Sequence, residues 1–334
     1  MITSLEITRL RGIREGKLED LTPLVVLVGP NACGKSTVLD AVLIGASRDL
    51  ANDIGRAVRR HEGVRQGARW LLWRVGTFGR GGILTKTGKD YFRHYDLELT
   101  RPGGIAVVAL ACSVEDGYRK GSGVARVEFG PGNKIEATSG DVPYPPIEDL
   151  PGARIIEGHW EHDAAPLHQI LTMATEQGLF DQVMGLVQGI IPDIRDIRIL
   201  TEGDSPIVQL VYEDHSVPAA LAGDGVHSLL RTCLELASHP SQTVLLEEPE
   251  LHKHPAAIRQ TIRAILAAVR RDIQVVLTTH SLELIDAILA EASDEDLAKL
   301  SVYRLGLDEG RLLSVRMSGD EVAFSRMEIE NDLR

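Results

Sequence analysis

Residues 29–37 read Gly-Pro-Asn-Ala-Cys-Gly-Lys-Ser-Thr, a set of side chains suited to wrapping a phosphate group. Successive backbone N–H groups must curl round the anion, and Gly29 and Gly34 supply the positive-φ turns that the curl requires. Lys35 has the reach to touch β- and γ-phosphates, and the Ser36 hydroxyl is a ligand type for magnesium. Such a loop works only between a strand and a helix N-terminus, where unpaired N–H donors and the helix dipole favour negative charge. The flanks meet that demand. Residues 24–28 are an apolar run, and Val38, Leu39, Val42 and Leu43 recur at helical spacing, predicting a helix with one apolar face.

Two further groups of polar residues end apolar runs. Glu247, Glu248, Pro249 and Glu250 follow the run 243–246, and ligands of open α/β sheets bind outside such strand ends. One acid there can serve a magnesium shell and a second can polarise an attacking water. Thr279, His280 and Ser281 end the run 273–277 in the same manner, so His280 can hydrogen-bond a γ-phosphate. Residues 221–225, Leu-Ala-Gly-Asp-Gly, precede a helical pattern and offer a second anion-ready helix start.

The elements needed to position these groups can be read along the chain. Residues 2–9 and 15–21 alternate apolar and polar, predicting two strands before the phosphate loop. Strands are expected over 91–99, 105–114 and 124–129, punctuated as in an antiparallel sheet. Pro131, Pro143, Pro145, Pro146 and Pro151 cluster near a lobe boundary. This divides the chain into 1–150, with the phosphate loop and an antiparallel β region, and 151–334, with a helical insert and the acid and histidine runs. In the second half, strands near 153–157, 194–200, 207–212, 243–246, 273–277, 301–305 and 312–315 alternate with helices near 166–177, 179–190, 225–237, 255–269 and 282–289. That alternation predicts a parallel core sheet. The expected class is α/β: a P-loop NTPase fold with a mixed and parallel core sheet, an antiparallel β subdomain and a helical subdomain.

With 334 residues, 43% of them hydrophobic, the chain can bury a sizeable core. A formal net charge of -12 argues against indiscriminate coating of nucleic acid. Cys33, Cys112 and Cys233 are few and unpatterned, which fits a reducing compartment and neither a disulfide framework nor a zinc site. No signal sequence opens the chain, and the longest apolar run, near 105–114, is too short to span a bilayer. A cytoplasmic protein without a membrane partner is expected.

The order of phosphate loop, glycine-rich signature, acidic strand end and histidine resembles ABC-type ATPase heads. The spacings agree: 22 positions separate Gly225 from Glu247, and 32 separate Glu248 from His280. Within that group the chain resembles the SMC, RecF and OLD branch. The likeness rests on the opening run 5–13 with Arg11, Gly-Pro-Asn31 in the loop, Glu-Glu-Pro-Glu-Leu-His-Lys-His254-Pro255, and Thr-His-Ser-Leu-Glu from Thr279. No motif covers about 50–215. No sustained heptad pattern is present, so the likeness is to the head alone, and no nuclease domain is expected after His280.

The resemblance implies an ATPase that binds ATP and Mg2+ and closes as a homodimer around two nucleotides. Carried over by motif, Gly29, Asn31, Ala32, Cys33, Gly34, Lys35, Ser36 and Thr37 hold the nucleotide, and Ser36 and Glu247 serve magnesium. Glu248 activates water, His280 contacts the γ-phosphate, and Arg11 approaches the nucleotide. Gly223, Asp224 and Gly225 act across the dimer on the partner's nucleotide. Glu247 stands where such heads usually carry Asp, and Ala222 stands where the signature usually has Ser.

Residues 56–80 are the one basic concentration, with Arg56, Arg59, Arg60, Arg65 and Arg69 interleaved with Trp70 and Trp73. Arginines pair phosphates and aromatics stack bases, which makes DNA one candidate partner, as in repair, recombination or phage defence. The same stretch also reads as a solvated helix followed by a core strand with Trp70 and Trp73 buried. A regulatory switch acting on a separate effector protein, such as a nuclease or toxin, is the alternative, and the overall acidity favours it.

Overall fold

The structure, a computed structural model, describes residues 1–47, 50–59, 70–74, 79–88, 91–100, 107–115, 120–129, 135–139, 152–157, 166–238 and 243–327. Arg60, Arg65, Arg69, the Arg59 side chain and the proline cluster of 131–151 lie outside the described residues.

β1 (Ile2–Leu10) and β2 (Ile13–Glu19) form an antiparallel hairpin. β3 (Leu24–Val28) follows, and residues 29–34 lead from it into α1 (Lys35–Gly45) and α2 (Leu50–Arg59). Five strands then run back and forth: β4 (Gly79–Thr87), β5 (Tyr91–Thr100), β6 (Val107–Glu115), β7 (Lys120–Phe129) and β8 (Ile135–Ser139). Each pairs antiparallel with the last, and β4 pairs antiparallel with β1. This is the expected antiparallel region, with β4 and β8 added; the glycines in 79–82 and the polar residues of 135–139 hide both from a hydrophobic pattern.

The second half supplies β9 (Ala153–Glu157), α3 (Leu167–Glu176), α4 (Phe180–Gln188), β10 (Asp196–Glu202), β11 (Ser205–Val211) and β12 (Ser216–Pro218). It continues with α5 (Asp224–Ser238), β13 (Thr243–Glu247), α6 (Pro255–Arg270), β14 (Gln274–Thr278), α7 (Leu282–Glu291) and α8 (Asp294–Leu297). β15 (Leu300–Asp308), β16 (Arg311–Ser318) and α9 (Gly319–Met327) close the described chain.

Among the described residues there is one 13-stranded sheet, ordered β8-β7-β6-β5-β4-β1-β2-β16-β15-β3-β14-β13-β9, and a separate three-stranded sheet, β10-β11-β12. The large sheet is mixed. The pairs β9/β13, β13/β14, β14/β3 and β3/β15 are parallel, and the strands beyond β1 and β2 are antiparallel. Both faces of the parallel core are covered, which is why its strands read as continuous apolar runs. Along β3, Leu24, Val26 and Val28 face a layer built with α3 to α7, while Val25 and Leu27 face the layer containing α1.

α1 differs from the expected amphipathic helix. Ten of its residues, Lys35 and Thr37 through Gly45, are buried, including Asp40. The helix is enclosed by β1, β4, α2 and the parallel strands, so its polar positions meet partners and not water. Further out, Leu10 bridges to Leu72, and Leu71 and Leu72 are the buried residues of that segment. Trp70 is 59% exposed, which corrects the expectation of a core strand burying it. Cys33 and Cys233 are both buried and free.

Candidate nucleotide site

The phosphate loop takes its shape from three left-handed residues: Gly29 at φ 144, Ala32 at φ 62 and Gly34 at φ 98. Gly29 also lacks room for a side chain, and Gly34 has little to spare. A Cβ on Gly29 would stand 2.4 Å from the Leu305 carbonyl oxygen of β15, and one on Gly34 would stand 3.2 Å from Ile13. The Lys35 ammonium is buried and donates to the Gly29 carbonyl at 3.0 Å and the Pro30 carbonyl at 3.1 Å, with the Cys33 sulfur at 3.8 Å. Cys33 and Thr37 are buried, whereas Asn31 and Ala32 are exposed on the loop.

β13 and β14 run side by side in parallel, with Glu247 level with Thr278, and β14 in turn lies beside β3. The strand ends therefore deliver the acid and histidine runs to the phosphate loop. Ser36 Oγ donates to Glu247 Oε1 at 2.5 Å, a contact across 211 residues of sequence. Hydroxyl and carboxylate oxygens are the donor set that a hard divalent cation takes, so these two residues fit magnesium.

Glu248 turns the chain out of β13 in a left-handed conformation, φ 44, a strained choice for a residue with a Cβ. Its N–H is held by the Thr278 carbonyl at 3.1 Å and the Thr278 hydroxyl at 3.2 Å. Its carboxylate lies 3.5 Å from His280 Nε2. Beyond it, Glu250 Oε1 accepts from the Thr279 hydroxyl at 2.5 Å. Burial raises the Glu250 carboxyl above the usual range, with the Glu248 charge adding to the effect. Burial likewise pulls the Lys253 ammonium down to about 8, and pushes the Cys233 thiol up to about 12.

Arg11 sits at φ 46 just after β1. Its Nε lies 2.7 Å from Asp40 of α1, and a terminal nitrogen donates to the Ala57 carbonyl of α2. The guanidinium thus braces the helix that the phosphate loop feeds. Gly223 and Asp224 are exposed, and Gly223 is left-handed at φ 89. Among the described residues no hydrogen bond or ion pair joins 223–225 to residues 29–37 of the same chain; Gly225 instead packs beside the His252 carbonyl.

The structure therefore brings together Ser36 with Glu247 and Glu248 with His280, while Arg11 is tied to α1 through Asp40 and to α2 through Ala57. Sequence reasoning assigned no role to Glu250, Thr279 or Asp40. Only the acid run at 247–250 carried a signal for the first of them, since the partner of each lies distant in sequence.

Residues 135–286 match the family described as AAA domain, putative AbiEii toxin, Type IV TA system. Over 110 residues the chain is 33% identical to the uncharacterised protein MJECL11 of Methanocaldococcus jannaschii, covering 33% of this chain and 87% of that protein. A solved SmcHead bound to the C-winged helix domain of ScpA superposes with a TM-score of 0.54 at 15% identity, over 95% of this chain and 97% of the other. An SMC head domain from Thermotoga maritima aligns over 95% of this chain and 99% of the other, at 13% identity and a TM-score of 0.45. The chain therefore belongs to one family with MJECL11, and its fold is the P-loop NTPase fold of a solved SMC head.

Proposed function

We propose that this protein binds ATP with Mg2+, hydrolyses it, and closes as a homodimer around the nucleotide. The observation that carries the reading is the 2.5 Å contact between Ser36 and Glu247, which joins the phosphate loop to the acidic strand end. Beside it stands the Glu248–His280 pair. In this reading residues 29–37 hold the phosphates, with Lys35 as their cation. Ser36 and Glu247 hold magnesium, which when bound neutralises charge on the β- and γ-phosphates. Glu248 accepts a proton from the attacking water, and His280 donates a hydrogen bond on the γ-phosphate side. Arg11 supports the site by fixing α1. Gly223 and Asp224 are exposed and Gly225 is partly buried; in this reading the three serve the partner's nucleotide in trans. Residues 1–150 and 151–334 are then the two lobes of one composite head.

Two settings follow. One is action on DNA, through the arginines of 56–69. The other is a switch controlling a separate effector, and the matched family's description as a toxin–antitoxin AAA domain favours this one. Steady-state hydrolysis by wild type and Glu248→Gln tests the core of the reading. The variant is expected to bind ATP, to hydrolyse it about 100-fold or more slowly, and to accumulate as a dimer in light scattering. A wild-type rate in the variant would remove Glu248 from the role of base. Duplex DNA added to the wild-type assay decides the setting: stimulation supports the DNA partner, and an unchanged rate supports the effector switch.

A further inference from the structure

Glu250 lies where three parts of the site meet. Its Oε1 accepts from the Thr279 hydroxyl at 2.5 Å. The Thr279 oxygen in turn accepts from the Ser281 N–H at 2.9 Å. Ser281 caps α7, its hydroxyl accepting from the Leu284 N–H at 3.3 Å. His280 is therefore held between two residues that one carboxylate fixes, and its own backbone N–H is among the groups that favour the ionised carboxylate. Among the described residues the second oxygen, Oε2, is buried without a hydrogen-bond partner, and the Lys253 ammonium feels the carboxylate's charge.

A half-satisfied carboxylate away from water is expensive, and a loop closed merely for shape could use an apolar residue. What this acid adds is a single orientation for residues 279–281. Displacing a reacting group by about 1 Å costs on the order of 100-fold in rate, so such fixing has a direct use beside Glu248.

We propose that Glu250 is a positioning residue: through Thr279 it sets the His280 imidazole against the Glu248 carboxylate. The proposal rests on the reading of Glu248 and His280 as the hydrolytic pair.

The test is steady-state hydrolysis and equilibrium ATP binding, in the full chain with Mg2+, for Glu250→Ala, Glu250→Gln, Thr279→Val and the double variant Glu250→Ala/Thr279→Val. Each alanine or valine variant is expected to lose about 10-fold in kcat with KM and ATP affinity held within about twofold. Glu250→Gln retains an acceptor for the Thr279 hydroxyl and should recover to within about threefold of wild type. The double variant should fall no further than the worse single one, because both cut one contact. A wild-type kcat in Glu250→Ala overturns the proposal. So does a loss confined to KM, a Gln variant as impaired as Ala, or additive losses in the double variant. Thr279→Val reads the same contact if Glu250→Ala does not fold. A wild-type protein that binds ATP without hydrolysing it would defeat the underlying reading; normal hydrolysis with unaffected variants would defeat the role of Glu250 alone.

Discussion

Lys35 shows how much one side chain contributes to this site. Its ammonium is buried and bonded to two carbonyls of its own loop, so the loop curves around the charge that the proposed function sets against a phosphate. Truncation removes both the cation and the internal tie. Lys35→Ala is expected to weaken ATP binding by about 10-fold or more, as read by calorimetric titration, since hydrogen bonds to charged groups contribute about 1.5–3 kcal/mol. The residues of this loop were readable from the chain because their chemistry is local: glycines, a lysine and a serine in nine consecutive positions. The Arg11–Asp40 pair and the Glu250–Thr279 contact were not readable. Each links side chains 29 residues apart, and nothing in the types alone says which acid meets which partner.

At the scale of elements, the helices behind the acid and histidine strands are braced by charge. The Asp296 carboxylate, buried in α8, accepts two hydrogen bonds from Arg270 at the end of α6 and closes a capping box with Ser293. Arg270 holds the Asp296 carboxyl down at about 2, below its ordinary value near 3.8. A depressed acid contributes stability above the unfolded value and loses it as pH falls from about 4 to about 2. Asp296→Asn should therefore cost about 1 kcal/mol at pH 7, reduced by solvent screening of the half-exposed Arg270, and nearly nothing at pH 2. Urea unfolding at the two pH values measures the difference. The same scale shows what hydrophobic patterning conveys. Continuous apolar runs placed β3, β13 and β14 correctly because a parallel core buries both strand faces. The pattern misdescribed α1, whose polar residues look solvent-facing until Arg11 and the enclosing sheet supply their partners.

For the whole molecule, the exposed signature is the informative surface. Leu221 is 75% exposed at the start of this segment, beside the exposed Gly223 and Asp224. If this surface closes on a second copy, Leu221→Glu should leave the monomer's ATP affinity within about twofold while abolishing the ATP-dependent dimer. Light scattering on the Glu248→Gln background reads this directly, and a dimer that survives the substitution would exclude Leu221 from the interface. The central sheet carries one more consequence. β3 lies between β14 and β15, and Gly29 sits against the Leu305 carbonyl. A chain emerging from the ribosome presents the phosphate loop first, because synthesis runs from the N-terminus, yet both flanking strands of β3 come from residues 274–308. During translation the loop waits for nearly the whole described chain before its walls exist. A nascent or truncated chain therefore lacks both strands that flank β3 until residues 274–308 have been made.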